Sequence, residues 1–321
     1  MTADSKSSHP LRLTAKSSAD TWNWKGFPIH YQFAGSQGPP VVLVHGFGAS
    51  SGHWRKNIPV LAAIARVYAI DLIGFGASAK PAPGPFVPAE HVEYSFETWG
   101  QQIADFCREV VGEPAFVVGN SIGCIAAMQA AVYAPQFVLS MALINCSLRL
   151  LHDRKRAGLP WYRRIGAPIV QKILTFKPIG KLFFNQLANP STVRKILRQA
   201  YKHPEIVTDE LVDLLLAPAR DPGAVDVFLA FTRYSQGPLP EDLLAVLPCP
   251  ALLLWGTDDP WEPIAIARQE LSHFPVVEDF VPLEGLGHCP QDEAPEVVNP
   301  ILKDWILKKS MEAFSPQSVA P

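Results

Sequence analysis

The stretch Ala115-Phe116-Val117-Val118-Gly119-Asn120-Ser121-Ile122-Gly123-Cys124-Ile125-Ala126-Ala127-Met128 decides how this chain reads. A strand-sized apolar run leads into Gly-x-Ser-x-Gly, and small and apolar residues suited to a buried helix follow. Strand, sharp turn and helix, with a serine at the turn, are the context of a nucleophile elbow. The glycines let the chain bend tightly and keep bulk away from the serine. Its hydroxyl can then stand exposed at a helix N-terminus.

Outward from the elbow the chain alternates strands and helices. Residues 24–33 read as an edge hairpin, 41–44 as a buried strand, 53–65 as a helix and 67–70 as a strand ending at Asp71. Residues 80–88, rich in proline, read as a stiff irregular loop near the expected mouth of the site. A helix is expected over 95–111, another over 122–133 and a strand over 138–144. The rhythm then stops. Between 147 and 239 no strand pattern appears, and short helical patterns cover 169–176, 192–200, 209–216 and 223–234. It resumes with a strand at 251–255, a helix near 264–271, a strand near 276–281 and a helix near 297–308. Such alternation implies a mostly parallel sheet covered by helices on both faces. The expected organisation is a polar disordered tail at 1–20, an α/β core at 21–146 and 240–310, an all-helical cap at 147–239 and a flexible tail at 311–321.

Composition narrows the function. The 321 residues are 48% hydrophobic, ample for a large core. With 28 basic and 30 acidic residues the net charge is -2, which recruits neither nucleic acid nor an anionic membrane. The five cysteines stand singly, against a disulfide framework and against a structural zinc site. The apolar runs are too short for a membrane span, and the N-terminus lacks a secretory apolar core. A soluble cytoplasmic monomer is the expectation.

A serine needs a base and a group to orient that base. The base candidate is His288, in Gly285-Leu286-Gly287-His288-Cys289-Pro290, between the last strand and the last helix. An imidazole suits the task because its ordinary pKa lies near neutrality. The acid candidate is Asp259, just after the strand ending at Trp255, with Asp258 as its competitor. Asp71 reads as a brace for the Gly74-Phe75-Gly76 turn. The backbone N–H groups of Phe47 and Ile122 are the candidate donors to a developing oxyanion. His45 and Asn120 are read as supports for the oxyanion loop and the elbow. Trp54, Phe183, Phe228, Phe231 and Trp261 are the candidate substrate contacts, although aromatics in a cap also build its own small core. No metal-ligand motif and no dinucleotide fingerprint is present in the sequence, so no metal and no cofactor are expected.

Taken together, His45-Gly46-Phe47-Gly48, Asp71 to Ser78 around Gly74-Phe75-Gly76, Gly119-Asn120-Ser121-Ile122-Gly123, Gly256-Thr257-Asp258-Asp259 and Gly287-His288 resemble the α/β-hydrolase superfamily. The resemblance covers about 23–306. It implies an eight-stranded, mostly parallel sheet with an inserted helical cap, and the chain order Ser121, Asp259, His288 for the catalytic triad. The family's acid stands three residues after the glycine, which selects Asp259. Asp259-Pro260-Trp261 and the run from Gly287-His288-Cys289-Pro290 to Pro295 are similar to the pheophytinase and chlorophyll-dephytylase group of phototrophs. That group cleaves phytyl esters of chlorophyll-like pigments. Two departures stand out: Cys124 follows Gly123 where a second glycine is usual, and Gln291 replaces a histidine near Cys289-Pro290.

The expectation is hydrolysis of a large hydrophobic ester through an acyl-enzyme. An oily surface would add transient contact with a membrane or a pigment–protein complex, placing the protein at the edge of a photosynthetic membrane. Two rivals remain: a carbon–carbon bond hydrolase of the meta-cleavage-product type with the same three residues, and a non-catalytic small-molecule-binding protein on the same fold. Polar or basic groups inside the cap pocket, able to hold a substrate carboxylate, would favour the first rival.

Overall fold

The computed structural model describes residues 17–155 and 176–313. Strands β1 (Ser18–Trp24) and β2 (Phe27–Ala34) form the expected edge hairpin. Lys25 and Gly26 turn it at φ 52° and 91°, the left-handed pair that a two-residue hairpin loop needs. The other strands are β3 (Pro40–Val44), β4 (Arg66–Ile70), the short β5 (Ala82–Pro83) and β6 (His91–Val92), β7 (Ala115–Asn120), β8 (Val138–Ile144), β9 (Ala251–Gly256) and β10 (Val277–Leu283). Eight of them make one sheet in the order β1-β2-β4-β3-β7-β8-β9-β10. β2 runs antiparallel to β1 and β4, and every other neighbouring pair in this sheet is parallel.

Helices cover both faces, which is why β3, β7 and β9 are buried throughout. α1 (Ile58–Leu61), α10 (Pro290–Glu293) and α11 (Pro295–Ala313) lie towards one face, where Leu43, Phe116, Ile144 and Ile306 share a core. α2 (Phe96–Phe106), α3 (Ile122–Tyr133), α8 (Pro240–Leu244) and α9 (Ile264–Leu271) cover the other, around Val42, Val117, Leu143 and Leu253. Between β8 and α8 the chain forms α4 (Lys177–Leu187), α5 (Pro190–Ala200), α6 (Asp209–Leu216) and α7 (Ala224–Arg233). Among the described residues this insertion holds no strand, as its patterns implied. Leu197, Tyr201, Leu211 and Val212 give it a small core of its own.

Several local expectations change. The helix expected over 53–65 breaks into a 3-10 turn, Ser51–Trp54, and the one-turn α1. Pro59 cannot donate a helical hydrogen bond and is accommodated only as an early residue of a new helix. Ser18, Ala19 and Asp20 belong to β1 rather than to a disordered tail, because they pair with Phe33, Gln32 and Tyr31. Met311–Ala313 continue α11 into the stretch read as a flexible tail. The proline-rich loop carries the small β5–β6 pairing. The helix expected over 169–176 lies almost entirely outside the described residues.

Candidate active site

β7 ends at Asn120 and α3 begins at Ile122, so Ser121 carries the whole turn at φ 56° and ψ -124°. A non-glycine residue there is strained by roughly 1–3 kcal/mol. The surroundings fix it: Ser121 N donates to the Ile144 carbonyl at 3.0 Å, and the Ser121 carbonyl accepts from Cys124 N at 3.1 Å and Ser147 N at 3.2 Å. The glycines serve close approach. A Cβ on Gly119 would lie 2.8 Å from the Cys124 backbone, and one on Gly123 would lie 2.5 Å from the His45 carbonyl oxygen. The loop after β3 thus lies directly against the start of α3.

His288 Nδ1 lies 2.7 Å from Asp259 Oδ2. Oδ2 also accepts from Asn145 Nδ2 at 2.7 Å, while Oδ1 accepts the backbone N–H groups of Trp261 and Glu262. Burial pushes the Asp259 carboxyl upward. The hydrogen bond and charge of His288, with Asn145 and the Glu262 N–H, outweigh that and hold it below its ordinary value. Asp258 faces outward and pairs with Lys202 at 2.6 Å. Asn120 Nδ2 reaches the carbonyls of His288 at 3.3 Å and Ile144 at 3.2 Å, tying the imidazole loop to the elbow. The Trp261 ring stands 4.9 Å from the His288 ring. Asp71 braces its turn as expected, accepting from Ala77 N at 2.8 Å and lying 3.0 Å from His30 Nδ1.

Asn145 was not singled out from sequence. It directly follows β8 in the left-handed region, φ 44°, and its Oδ1 accepts from Gly256 N. Asn tolerates that conformation better than most residues, which is the one signal the sequence offered.

Ile122 is the first residue of α3, so its N–H has no helical acceptor. Phe47, the other candidate donor, follows Gly46, whose Cβ position lies 3.2 Å from Ser121 Cβ. His45 braces this loop. Its Nε2 accepts from Leu72 N at 3.1 Å, so Nδ1 carries the proton and donates to the Gly46 carbonyl at 2.7 Å. Burial lowers the pKa of His45 and keeps it neutral.

Ser121, His288, Asn120 and the Phe47 loop open into one chamber of about 430 Å³, walled by Phe184, Leu187, Val193, Leu197, Leu216 and Phe228. A side chamber of about 670 Å³ adjoins it across Phe47, Ile122, Trp261 and Glu262, and reaches Phe183, Phe231 and Arg149. Phe228 therefore lines the first, Phe183 and Phe231 the second, and Trp261 both. Phe47 stacks on Phe231 at 4.6 Å between centroids. Trp54 does not join them. It is fully buried in the core with Leu43 and Ile58, because the 3-10 turn points it into the sheet and gives its place on the wall to His53. Behind that wall Tyr201 donates to Asp292 Oδ2 at 2.8 Å, so His53 Nε2 donates to the Tyr201 oxygen at 2.9 Å. Burial pushes the His53 pKa down to about 4. Arg55 and Lys56 lie 2.8 and 3.2 Å from Asp292 Oδ1. Among the described residues no three His, Cys, Asp or Glu side chains cluster as metal ligands would, and no helix is long and apolar enough to cross a membrane.

A serine on a strained elbow, an imidazole held by a carboxylate and a capped eight-stranded sheet define a class. Residues 41–301 match the alpha/beta hydrolase family, and the chain belongs to it as a hydrolytic enzyme of that type. It is 27% identical to chloroplastic pheophytinase of Arabidopsis thaliana, over 92% of this chain and 67% of that protein. It is 26% identical to a 2-hydroxy-6-oxo-6-(2'-aminophenyl)hexa-2,4-dienoic acid hydrolase of Metapseudomonas resinovorans, over 85% and 86%. In fold it is similar to a 2-hydroxy-6-oxo-6-phenylhexa-2,4-dienoate hydrolase from Rhodococcus, with a TM-score of 0.69 and 24% identity over 92% of this chain and all of that one. The relatives are diverse, and the dienoate hydrolases are at least as prominent among them as pheophytinase.

Proposed function

We propose that the protein is a serine hydrolase that cleaves an ester of a hydrophobic, uncharged substrate through an acyl-enzyme. The observation that carries this reading is the 2.7 Å contact of His288 with Asp259, in a largely apolar chamber that also holds Ser121. In this reading His288 Nε2 takes the Ser121 proton as Oγ attacks the carbonyl carbon. The Phe47 and Ile122 N–H groups receive the oxyanion, a loss of either costing about 3 kcal/mol. The tetrahedral intermediate collapses, the alcohol leaves with the proton from His288, and a water repeats the sequence to free the acid. Asp259 stays ionised, supports the imidazolium and fixes its tautomer.

The second reading is a carbon–carbon bond hydrolase of the dienoate type, and the comparisons lean towards it. Its substrate carries a carboxylate, which calls for a cation. Among the described residues the first chamber offers His53, kept neutral by burial, and no lysine or arginine on its walls. Arg149, in the side chamber, is turned to the carbonyls of Pro238 and Gln236 and packs on Phe96 and Tyr234. A phytyl ester of a pigment is one candidate among hydrophobic esters, supported by the motif resemblance and by the likeness to pheophytinase.

The test is a substrate panel read by product mass: short-chain esters, a long isoprenyl ester, a chlorophyll-type pigment ester and a dienoate ring-fission product. Turnover of neutral esters that disappears in Ser121→Ala supports the proposal. Release of phytol narrows it to pigment esters. Faster cleavage of the dienoate than of any ester overturns it in favour of the second reading. No turnover of any of them supports a binding protein.

A further inference from the structure

Glu262 is a buried acid in the chamber wall that the reaction above does not use. Its Oε1 accepts from Ser147 Oγ at 3.0 Å and its Oε2 from Leu148 N at 2.9 Å. Its own N–H donates to Asp259 Oδ1 at 3.0 Å, and its carbonyl accepts from Trp255 Nε1 at 2.8 Å. The carboxyl is thereby clamped where the chain leaves the sheet for the cap, and it lines both chambers. Each oxygen has one protein donor and room for one further partner. A proton on Oε1 would find an acceptor in the Ser147 oxygen, whose hydroxyl can rotate, whereas a proton on Oε2 would meet no protein acceptor among the described residues.

The charged and titratable groups around it are Asp259 and His288 on the loops beside it, Cys146 just after β8, and Arg149 and His152 across the side chamber. No lysine or arginine pairs with it among the described residues. Burial, above all, pushes its pKa up to about 7, so neutral and ionised forms both occur near neutrality.

We propose that Glu262 is the specificity-determining residue of this chamber, accepting substrates that carry a neutral hydrogen-bonding group, a hydroxyl or an amide, and rejecting substrates that carry an anion. The proposal rests on the serine-hydrolase reading and deepens it. A hydroxyl or an amide satisfies either form of the carboxyl, since each can donate or accept. A substrate carboxylate is matched only by the protonated form, and the ionised form repels it in a largely apolar site.

Three esters of similar length test this: p-nitrophenyl hexanoate, its ω-hydroxy derivative and the mono-p-nitrophenyl ester of adipic acid. The readout is the kcat/KM ratio of the ω-hydroxy ester to the adipate ester, measured from about pH 6 to about pH 8 and corrected for spontaneous release. In the wild-type protein the ratio should rise about tenfold across that range as Glu262 ionises. In Glu262→Gln, which keeps an acceptor for Leu148 N and turns its NH2 to the Ser147 oxygen, the ratio should become flat. In Ser147→Ala, which removes one donor to the ionised form, the rise should move to higher pH. A purely structural role for Glu262 would not produce that displacement. Ser121-dependent cleavage of hexanoate with a flat ratio in the wild-type protein, or with an unchanged rise in Glu262→Gln, overturns the proposal while leaving the hydrolase reading intact. Hexanoate cleavage that survives Ser121→Ala overturns the hydrolase reading and takes this inference with it.

Discussion

Asn145 holds the acid in place from behind. Its amide meets the same Asp259 oxygen that faces His288, and it does so from a left-handed backbone position. Asn145→Ala should lower kcat by about ten- to a hundredfold with little change in KM, because it loosens a positioning contact and leaves the chamber wall alone. Steady-state kinetics on a neutral ester check this. Glu262 has a consequence for stability as well. Its pKa is raised in the folded protein, from 4.5 to about 7, so folding binds a proton between those values. Stability from this group is undiminished below about pH 4.5, falls as the pH rises to about 7 and is flat beyond. Glu262→Gln should therefore stabilise the protein by up to about 3 kcal/mol at pH 8 and by almost nothing at pH 4, as urea denaturation at the two pH values would reveal. Ser121 and His288 were legible in the sequence because each sits in a short local motif. Asp259 was separable from Asp258 by family spacing. Asn145, Glu262 and His53 were not legible, because strand ends and loops distant in sequence become neighbours only across the folded sheet.

At the scale of elements, β7, the elbow and α3 form a unit whose tolerances are set by backbone. Gly123→Ala gains about 1 kcal/mol of helix propensity in isolation. Here its methyl would lie 2.5 Å from the His45 carbonyl oxygen and 2.6 Å from that of Val44, which cannot swing aside as a side chain could. The variant should lose roughly 1–3 kcal/mol of stability by urea denaturation and should lose ester turnover as the oxyanion loop is pushed off the elbow. The parallel strands were readable from continuous apolar runs and α5, α6 and α7 from their spacing, whereas α4 was not expected. The broken helix after β3 was not, since apolar residues there keep helical spacing across a 3-10 turn. The same break explains why Trp54 is core and His53 is wall.

For the whole molecule, two buried groups oppose each other as pH changes. His53 is kept neutral when folded, its pKa lowered from 6.5 to about 4, so the unfolded chain binds the extra proton between those values. Its contribution is full above about pH 6.5 and is lost as the pH falls towards 4, opposite in sign to that of Glu262 over the shared window. His53→Gln should remove a loss of up to about 3 kcal/mol between pH 7 and pH 4, and the difference between variant and wild-type denaturation curves should grow steadily across that range. Tyr201, which accepts from His53, follows directly on α5 of the cap, and Ala200 at the end of that helix accepts the His288 N–H at 2.7 Å. A Cβ on Gly287 would lie 2.2 Å from the same Ala200 carbonyl oxygen, so helix and loop touch without slack. The end of α5 is thus pinned to the loop that carries the imidazole. Were α5 to swing away like a hinged door, it would drag the imidazole out of register with the serine. Phe47, Phe183 and Trp261, each partly open to solvent, line the side chamber that adjoins the first chamber.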